Sequence, residues 1–331
     1  MSTLPILKKF FQMPIALLKF PTDLLGDIFK LCDPFQLYCL SKCSKRTQRS
    51  IQLGGTKKWK LSFRGRNAIV ASLDGLHYNF GGTEDPDEYF ETQKNWRFDN
   101  YMTIPFGEPF DVFFGFLGIF RIVEELDVAF GSFEQFSKAI RELIDRHIEI
   151  ERIWIGCTPK VEKVDKLMPI LNQLNITQKF SCLKKFPSEF RHQFDKYPNR
   201  ILLHHSFWFN ISQLLECTCD RIDLRESILS NQDMDMFFQK WKRPGSFPNL
   251  RWLHIAGENI DDKSSILEII PPILNVNNPR VEVADRLYKH DNIVDPVRIT
   301  KADGTEGWLK VELGSWPELK FLVLNPIAPN T

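Results

Sequence analysis

Two hydrophobic rhythms divide this chain, a helical one between residues 20 and 51 and a shorter, strand-like one from about residue 57 onward. The first stretch, FPTDLLGDIFKLCDPFQLYCLSKCSKRTQRSI, opens at Pro21, which suits a helix start, and carries Leu24, Leu25, Ile28, Phe29 and Leu31 on one broad apolar face. Asp33-Pro34 ends this helix and starts the next, because Asp caps free N–H groups and Pro fits a first helical position. Leu37, Leu40 and Cys43 follow at three-residue steps, and Ser44 to Arg49 turns polar and basic, as a short surface helix before Ile51 and Leu53. Three helices this short have too little core to stand alone, since chains below roughly 40 residues usually need a partner or a staple. The apolar face therefore predicts either another protein or the chain's own downstream domain as its cover.

Beyond residue 57, Lys58 to Phe63, Asn67 to Ser72 and Leu76 to Phe80 read as an antiparallel meander with a tight turn at Asp74-Gly75. Residues 81–109 read as an irregular insertion or edge. Strands then alternate with helices. The expected strands are Ile122–Val128, Ile148–Ile155, Lys179–Leu183, Arg200–Phe207, Arg221–Leu224 and Leu250–Ile255. The expected helices run from a cap at Ser132 to His147, over Val161–Leu174 with a kink at Pro169, Pro187–Phe194, Ile211–Leu215, Asn231–Trp241 and Ser264–Ile270. A strand at Tyr288–Val294, a hairpin Val297–Lys301 with Gly307–Leu313, and a last strand before Pro326 close the chain. This alternation predicts α/β units stacked with parallel strands. FPNLRWLHI at 247–255 and WPELKFLVL at 316–324 share one aromatic-Pro-x-Leu-x-aromatic-Leu pattern and suggest a leucine-rich-repeat-like domain, a compact α/β sandwich being the rival.

Phe20-Pro21, Leu24-Leu25, Ile28-Phe29, Asp33-Pro34, Leu37, Leu40-Ser41 and Cys43-Ser44-Lys45-Arg46 together resemble an F-box, the helical motif that docks substrate receptors onto the Skp adaptor of cullin-RING ubiquitin ligases. Phe20 stands where the general motif has Leu. Asp33-Pro34-Phe35 with Leu40 to Thr47 is similar, more narrowly, to the nematode F-box-B proteins, in which an F-box-associated domain follows. Cys219 to Leu224, Phe237 to Trp241, Pro248 to Leu253 and Ile299 to Thr305 look like parts of that domain. The resemblance implies an α+β/α/β chain with a three-helix F-box at 14–55 and a larger α/β domain at 57–331. It implies adaptor contacts from Phe20, Pro21, Leu24, Leu25, Ile28, Phe29, Leu31, Pro34, Leu37, Leu40 and Cys43, with the basic tail at the rim. The partners implied are a Skp-type adaptor, a cullin reached through it and a protein target; the compartment implied is cytoplasm or nucleus.

Composition narrows the alternatives. With 43 basic against 42 acidic residues the net charge of +1 gives no footprint for nucleic acid. The 28 Phe and 8 Trp residues predict a voluminous core. Cysteines at 32, 39, 43, 157, 182, 217 and 219 lack the paired spacing of a zinc site and read as reduced thiols. The N-terminal MSTLPILKKFFQMPIALLKF is interrupted by Lys8-Lys9 and lacks a cleavage pattern, and the 110–120 run FDVFFGFLGIF is too short to span a membrane. Gly81-Gly82-Thr83 lacks the ending of a phosphate loop. Histidines 77, 147, 192, 204, 205, 254 and 290 are scattered, His204-His205 falls on an expected strand, and Glu124-Glu125 and Asp261-Asp262 read as solvated charge. No catalytic residue, cofactor or metal site is expected, and a hydrolase-like α/β enzyme is disfavoured by the missing nucleophile elbow. Trp154, Phe207, Phe209, Trp252 and Phe321 are either aromatic anchors on an exposed strand face or core.

Overall fold

The computed structural model describes residues 17–54, 59–64, 67–72, 75–94, 99–120, 122–128, 133–156, 164–275, 282–284 and 292–324. The N-terminal targeting question, the outermost bounds of the expected 14–55 module, the Ser132 cap, Cys157, residues 161–163 and most of the Tyr288–Val294 strand lie outside these residues. The chain forms two compact units, Met1–Glu151 and Arg152–Thr331. The boundary expected near residue 56 therefore falls inside the first unit.

In the first unit three helices follow one another: α1 (Thr22–Leu31), α2 (Pro34–Cys43) and α3 (Lys45–Ser50). Asp33 caps α2 as its sequence predicts, accepting from the Gln36 N–H at 2.8 Å while the Gln36 side chain accepts from the Asp33 N–H at 3.0 Å. Ser44 caps α3 through the Thr47 N–H at 3.0 Å. The strands are β1 (Trp59–Arg64), β2 (Asn67–Ser72), β3 (His77–Thr83), β4 (Thr92–Lys94), β5 (Asp99–Pro105) and β6 (Ile122–Asp127), in the order β6-β1-β2-β3-β5-β4. β1, β2 and β3 form the antiparallel meander, whereas β5 lies parallel to β3. Where described, residues 81–109 form an edge of the sheet rather than an irregular insertion: they supply the end of β3, the strand β5, the edge strand β4 and the start of a helix.

That helix, α4 (Glu108–Leu117), holds the apolar 110–120 run, and Phe110, Val112, Phe113, Phe116 and Leu117 are buried. With α5 (Phe133–Asp145) it brings Phe136 against Phe63 and Phe110. The helical N-terminus joins the same core. Phe35 and Tyr38 meet Phe80 edge-on at 5.0 and 5.3 Å between centroids, Phe35 meets Tyr78 at 5.1 Å, and Lys42 pairs with Glu108 at 2.7 Å. Glu124 and Glu125 are not simply solvated, because Arg64 approaches them at 3.8 and 3.2 Å.

The second unit is built on β8 (Ile176–Cys182), β9 (Arg200–Leu203), β10 (Arg221–Leu224) and β11 (Trp252–Ala256), with β7 (Ile150–Ile155) beside β8. β8 to β11 are parallel and in one continuous register, Phe180 opposite Ile201, Ile222 and Leu253, and Cys182 opposite Leu203, Leu224 and Ile255. All eight are buried. Side-chain bonds mark the repeat: Asn199 donates to Gln178 and Cys219 to the Pro198 carbonyl 21 residues back, and Asn249 to the Thr218 carbonyl 31 residues back. Between the strands lie α6 (Met168–Leu171), α7 (Ile211–Glu216) and α8 (Asn231–Trp241). Phe238 and Trp241 of α8 pack edge-on against Phe321 at 5.0 and 4.9 Å and seal the core face.

Several expectations fail here for physical reasons. Val161–Leu174 is, where described, a 3-10 turn followed by the single turn of α6. Residues 187–194 form no helix; Phe186, Phe190, His192 and Phe194 instead gather around Trp208, Phe186 and Phe190 stacking at 4.0 Å. Residues 264–270 form no helix either. Leu267 and Glu268 have φ of 52° and 68°, the left-handed region that breaks a right-handed helix, and the backbones of Ile266 and Ile269 bond each other across them. β9 stops at Leu203, so His204 and His205 lie beyond it.

The second aromatic-Pro motif is not a further parallel rung. Its strand β16 (Glu318–Leu324) runs antiparallel to β11, and β15 (Glu306–Glu312) and β14 (Val297–Thr300) continue antiparallel from it. The short pair β12 (Glu282–Ala284) and β13 (Asn292–Val294) places Ile293 on Trp252 and Leu322. Phe80 is fully buried and meets Phe35, Tyr38 and Phe116 edge-on, so Phe80→Ala is expected to destabilise by about 3–5 kcal/mol in urea unfolding.

Candidate docking surfaces

On α1 the apolar residues divide into two stripes. Leu25, Gly26 and Phe29 are buried, Gly26 so close to the chain that an added Cβ would lie 3.2 Å from the Leu53 carbonyl oxygen. Leu24, Ile28 and Leu31, at i, i+4 and i+7, form the outer stripe, with Leu24 45% and Leu31 86% exposed and Ile28 half-buried. Phe20 and Pro21 extend it at the helix entry, where Phe20 is 38% exposed.

The same division runs through α2. Pro34 and Leu37 are buried beside Phe35 and Tyr38, while Leu40 is half-buried and Cys43 exposed. Of the eleven expected contact residues, Leu25, Phe29, Pro34 and Leu37 are enclosed by this chain. Phe20, Pro21, Leu24, Ile28, Leu31, Leu40 and Cys43 have exposed or half-buried positions. Helical spacing alone merges the two stripes, and only the burial of one against the chain's own core separates them.

The thiols on these helices are held neutral. Burial raises the pKa of Cys32, Cys39 and Cys43, and Cys32 and Cys43 donate to the Ile28 and Cys39 carbonyls at 3.4 Å. Among the described residues no group of three or more His, Cys, Asp or Glu side chains could hold a metal ion, and no helix is long and apolar enough to cross a membrane.

In the second unit, alternation sends every other strand residue away from the core ladder. Lys179, Arg200, Arg221, Trp252 and Leu322 stand opposite one another in one row, and Ser181, Leu202, Asp223, His254 and Lys320 in the next. Of the aromatic anchors expected on this unit, Phe209, Trp252 and Phe321 are buried, and Trp154 and Phe207 are half-buried.

His254 is the most constrained polar group of this region. Its Nδ1 lies 3.2 Å from Asp223 Oδ1 on β10 and its Nε2 3.1 Å from Glu318 Oε2 on β16. Arg225 and Lys320 complete the cluster at 3.3 Å from Asp223 and 2.5 Å from Glu318. Burial pulls the His254 pKa down, but the two carboxylate hydrogen bonds and charges outweigh it and the net shift is upward. Burial likewise opposes ionisation of Asp223, yet bonds and charges from His254 and Arg225 bring its pKa below the ordinary value. The His254 bond, together with Lys320 and against burial, lowers Glu318 to about 2.

A raised histidine pKa contributes stability that is complete below its unfolded value of about 6.5 and is lost as pH rises through the folded pKa. The lowered carboxylates contribute above their unfolded values of about 4 and lose that contribution on acidification towards their folded ones. The contribution of this cluster to stability is therefore expected to be greatest between about pH 4.5 and 6.5. In melts across pH, the advantage of wild type over His254→Gln should be greatest in this window and shrink above it.

The F-box domain model matches residues 17–54, and the model described as F-box associated matches residues 185–255. The first covers α1 to α3, the second the stretch from the aromatic cluster through β11. Together they support an F-box protein carrying an F-box-associated region. Neither the curated proteins nor the solved structures contain a match to the chain.

Proposed function

We propose that this chain is a substrate-recognition subunit of a Skp–cullin–F-box ubiquitin ligase, with residues 14–55 as the adaptor-binding module and 57–331 as the domain that captures a protein target. The carrying observation is the outer stripe Leu24, Ile28 and Leu31, set in the segment that the F-box model matches. An exposed apolar row on a helix is the geometry of helix-to-helix docking, in which a few large side chains supply most of the affinity. Phe20, Pro21, Leu40 and Cys43 continue the surface, and Lys45, Arg46 and Arg49 rim it.

The narrower readings are part of the same proposal. Asp33-Pro34-Phe35 and the Leu40–Thr47 run support the F-box-B type. The in-register strands with bonds 21 residues apart support a leucine-rich-repeat-like second unit. Such a subunit needs no catalytic group of its own, because holding a target near the charged conjugating enzyme raises its effective concentration. The free thiols fit a reducing compartment, cytoplasm or nucleus.

Phe35 and Tyr38 favour a second reading, in which the helices serve only to cover their own sheet. Co-purification with a Skp-type adaptor separates the two. Leu24→Asp with Leu31→Asp should weaken adaptor binding more than roughly a hundredfold, at about 2 kcal/mol or more per anchor, without lowering the melting temperature. Leu37→Asp should instead unfold the helical segment. Absence of wild-type binding, or full binding by the double variant, refutes the adaptor reading.

A further inference from the structure

We propose that Cys217 and Cys219 are an oxidation site, a buried dithiol that hydrogen peroxide closes to a disulfide and a thiol reductant reopens. Both thiols are free and only 4% and 1% exposed. They are joined through sulfur: Cys217 Sγ donates to Cys219 Sγ at 3.1 Å, and Cys219 Sγ donates to the Pro198 carbonyl at 2.9 Å. A disulfide bond is about 2 Å long, so closure asks for about 1 Å of sulfur movement. The backbone prepares the contact. Cys217 ends α7 in an extended conformation, with φ of −65° and ψ of 130°, and alternate side chains of an extended chain share one side. Exposed Glu216 and Thr218 alternate with buried Cys217 and Cys219, so the pair lies directly beneath a solvent-facing segment. The Asp220 N–H donates to the Asn199 carbonyl at 2.7 Å and anchors that segment at its far end.

The thiols of the first unit lack this geometry. Cys39 and Cys43 stand four residues apart on α2, where helical neighbours hold their Cβ atoms about 5–6 Å apart, beyond the roughly 3.5–4.5 Å that a disulfide spans. Cys32 and Cys43 donate to backbone carbonyls instead of to sulfur.

The hydrogen bond with Cys217, burial, and the neighbouring charges of Cys217 and Asp220 push the Cys219 pKa upward, so Cys219 keeps its proton and Cys217 meets the oxidant. The Cys217 sulfur attacks one peroxide oxygen, the O–O bond breaks, and the departing hydroxide takes the Cys217 proton, which leaves water and a sulfenic acid. The Cys219 sulfur then attacks Cys217 Sγ, the S–O bond breaks, and hydroxide leaves with the Cys219 proton as a second water. The pair loses two electrons and two protons to the peroxide. The bond to the Pro198 carbonyl goes with the Cys219 proton, a small loss because a thiol is a weak donor. Against it stands the effective concentration of two sulfurs that the fold already holds in contact. In a reducing compartment the pair rests as the dithiol and closes as peroxide rises. None of this depends on what the second unit binds.

The test treats the full chain with hydrogen peroxide, blocks the remaining thiols with N-ethylmaleimide and determines the mass of the peptide that carries residues 217 and 219. That peptide is expected to lose two hydrogens, to escape alkylation and to be restored by dithiothreitol, while Cys39 and Cys43 form no bridge. In glutathione buffers, the ratio of squared reduced to oxidised glutathione at which half of the pair is bridged should be about tenfold or more higher for the folded chain than in urea. Linkage then requires the bridge to raise the melting temperature, read as the shift on oxidation in wild type beyond that in Cys217→Ser. If Cys217→Ser fails to fold, Cys217→Ala provides the comparison. A pair that stays reduced or goes on to sulfinic acid in the folded chain, equal midpoints with and without urea, or a bridge that lowers the melting temperature overturns the inference.

Discussion

The continuous register of β8, β9, β10 and β11 is the constraint from which the second unit follows. Because side chains alternate between faces, one register assigns Phe180, Ile201, Ile222 and Leu253 to the interior and Lys179, Arg200, Arg221 and Trp252 to the other side. A slip of one residue in β9 would bury Arg200 and expose Ile201, so the apolar ladder holds the register against every alternative.

Where this stack ends, the chain reverses. β16 pairs antiparallel with β11, and His254 bonds to Asp223 on the last parallel partner and to Glu318 on the first antiparallel one. A single ring therefore ties three strands across the seam. Both nitrogens face carboxylates, which only the doubly protonated imidazole can satisfy as a donor on each side. The seam is strongest when that ring is charged, and its strength is linked to pH by the same bonds that set its geometry.

Much of this was legible in the sequence where the determining interactions are local. β2, β10 and α8 lie where alternation or helical spacing places them, and the Asp33 capping box follows from Asp33, Pro34 and Gln36 alone. The misread segments are those decided at a distance or by the backbone. Residues 187–194 have helix-compatible composition, but their rings are claimed by Trp208, and Leu267-Glu268 adopts a left-handed pair that no residue type there announces. The antiparallel course of β16 is equally silent, since WPELKFLVL carries the same alternation in either direction.

The candidate adaptor surface shows the same limit in its sharpest form. Leu24 and Leu25 are chemically identical neighbours, yet one is 45% exposed and the other 6%. What separates them is the 100° between consecutive residues of a helix, combined with the position of Phe29 and Gly26 against the chain's own core. A helix that needed only to cover its sheet would gain nothing from a second apolar stripe, and Leu31 at 86% exposure contributes little to folding. Retaining Leu24, Ile28 and Leu31 on the outer side is therefore intelligible as a binding requirement, in the one segment where a helical module too small to stand alone is already supported from behind by Phe35 and Tyr38 on Phe80.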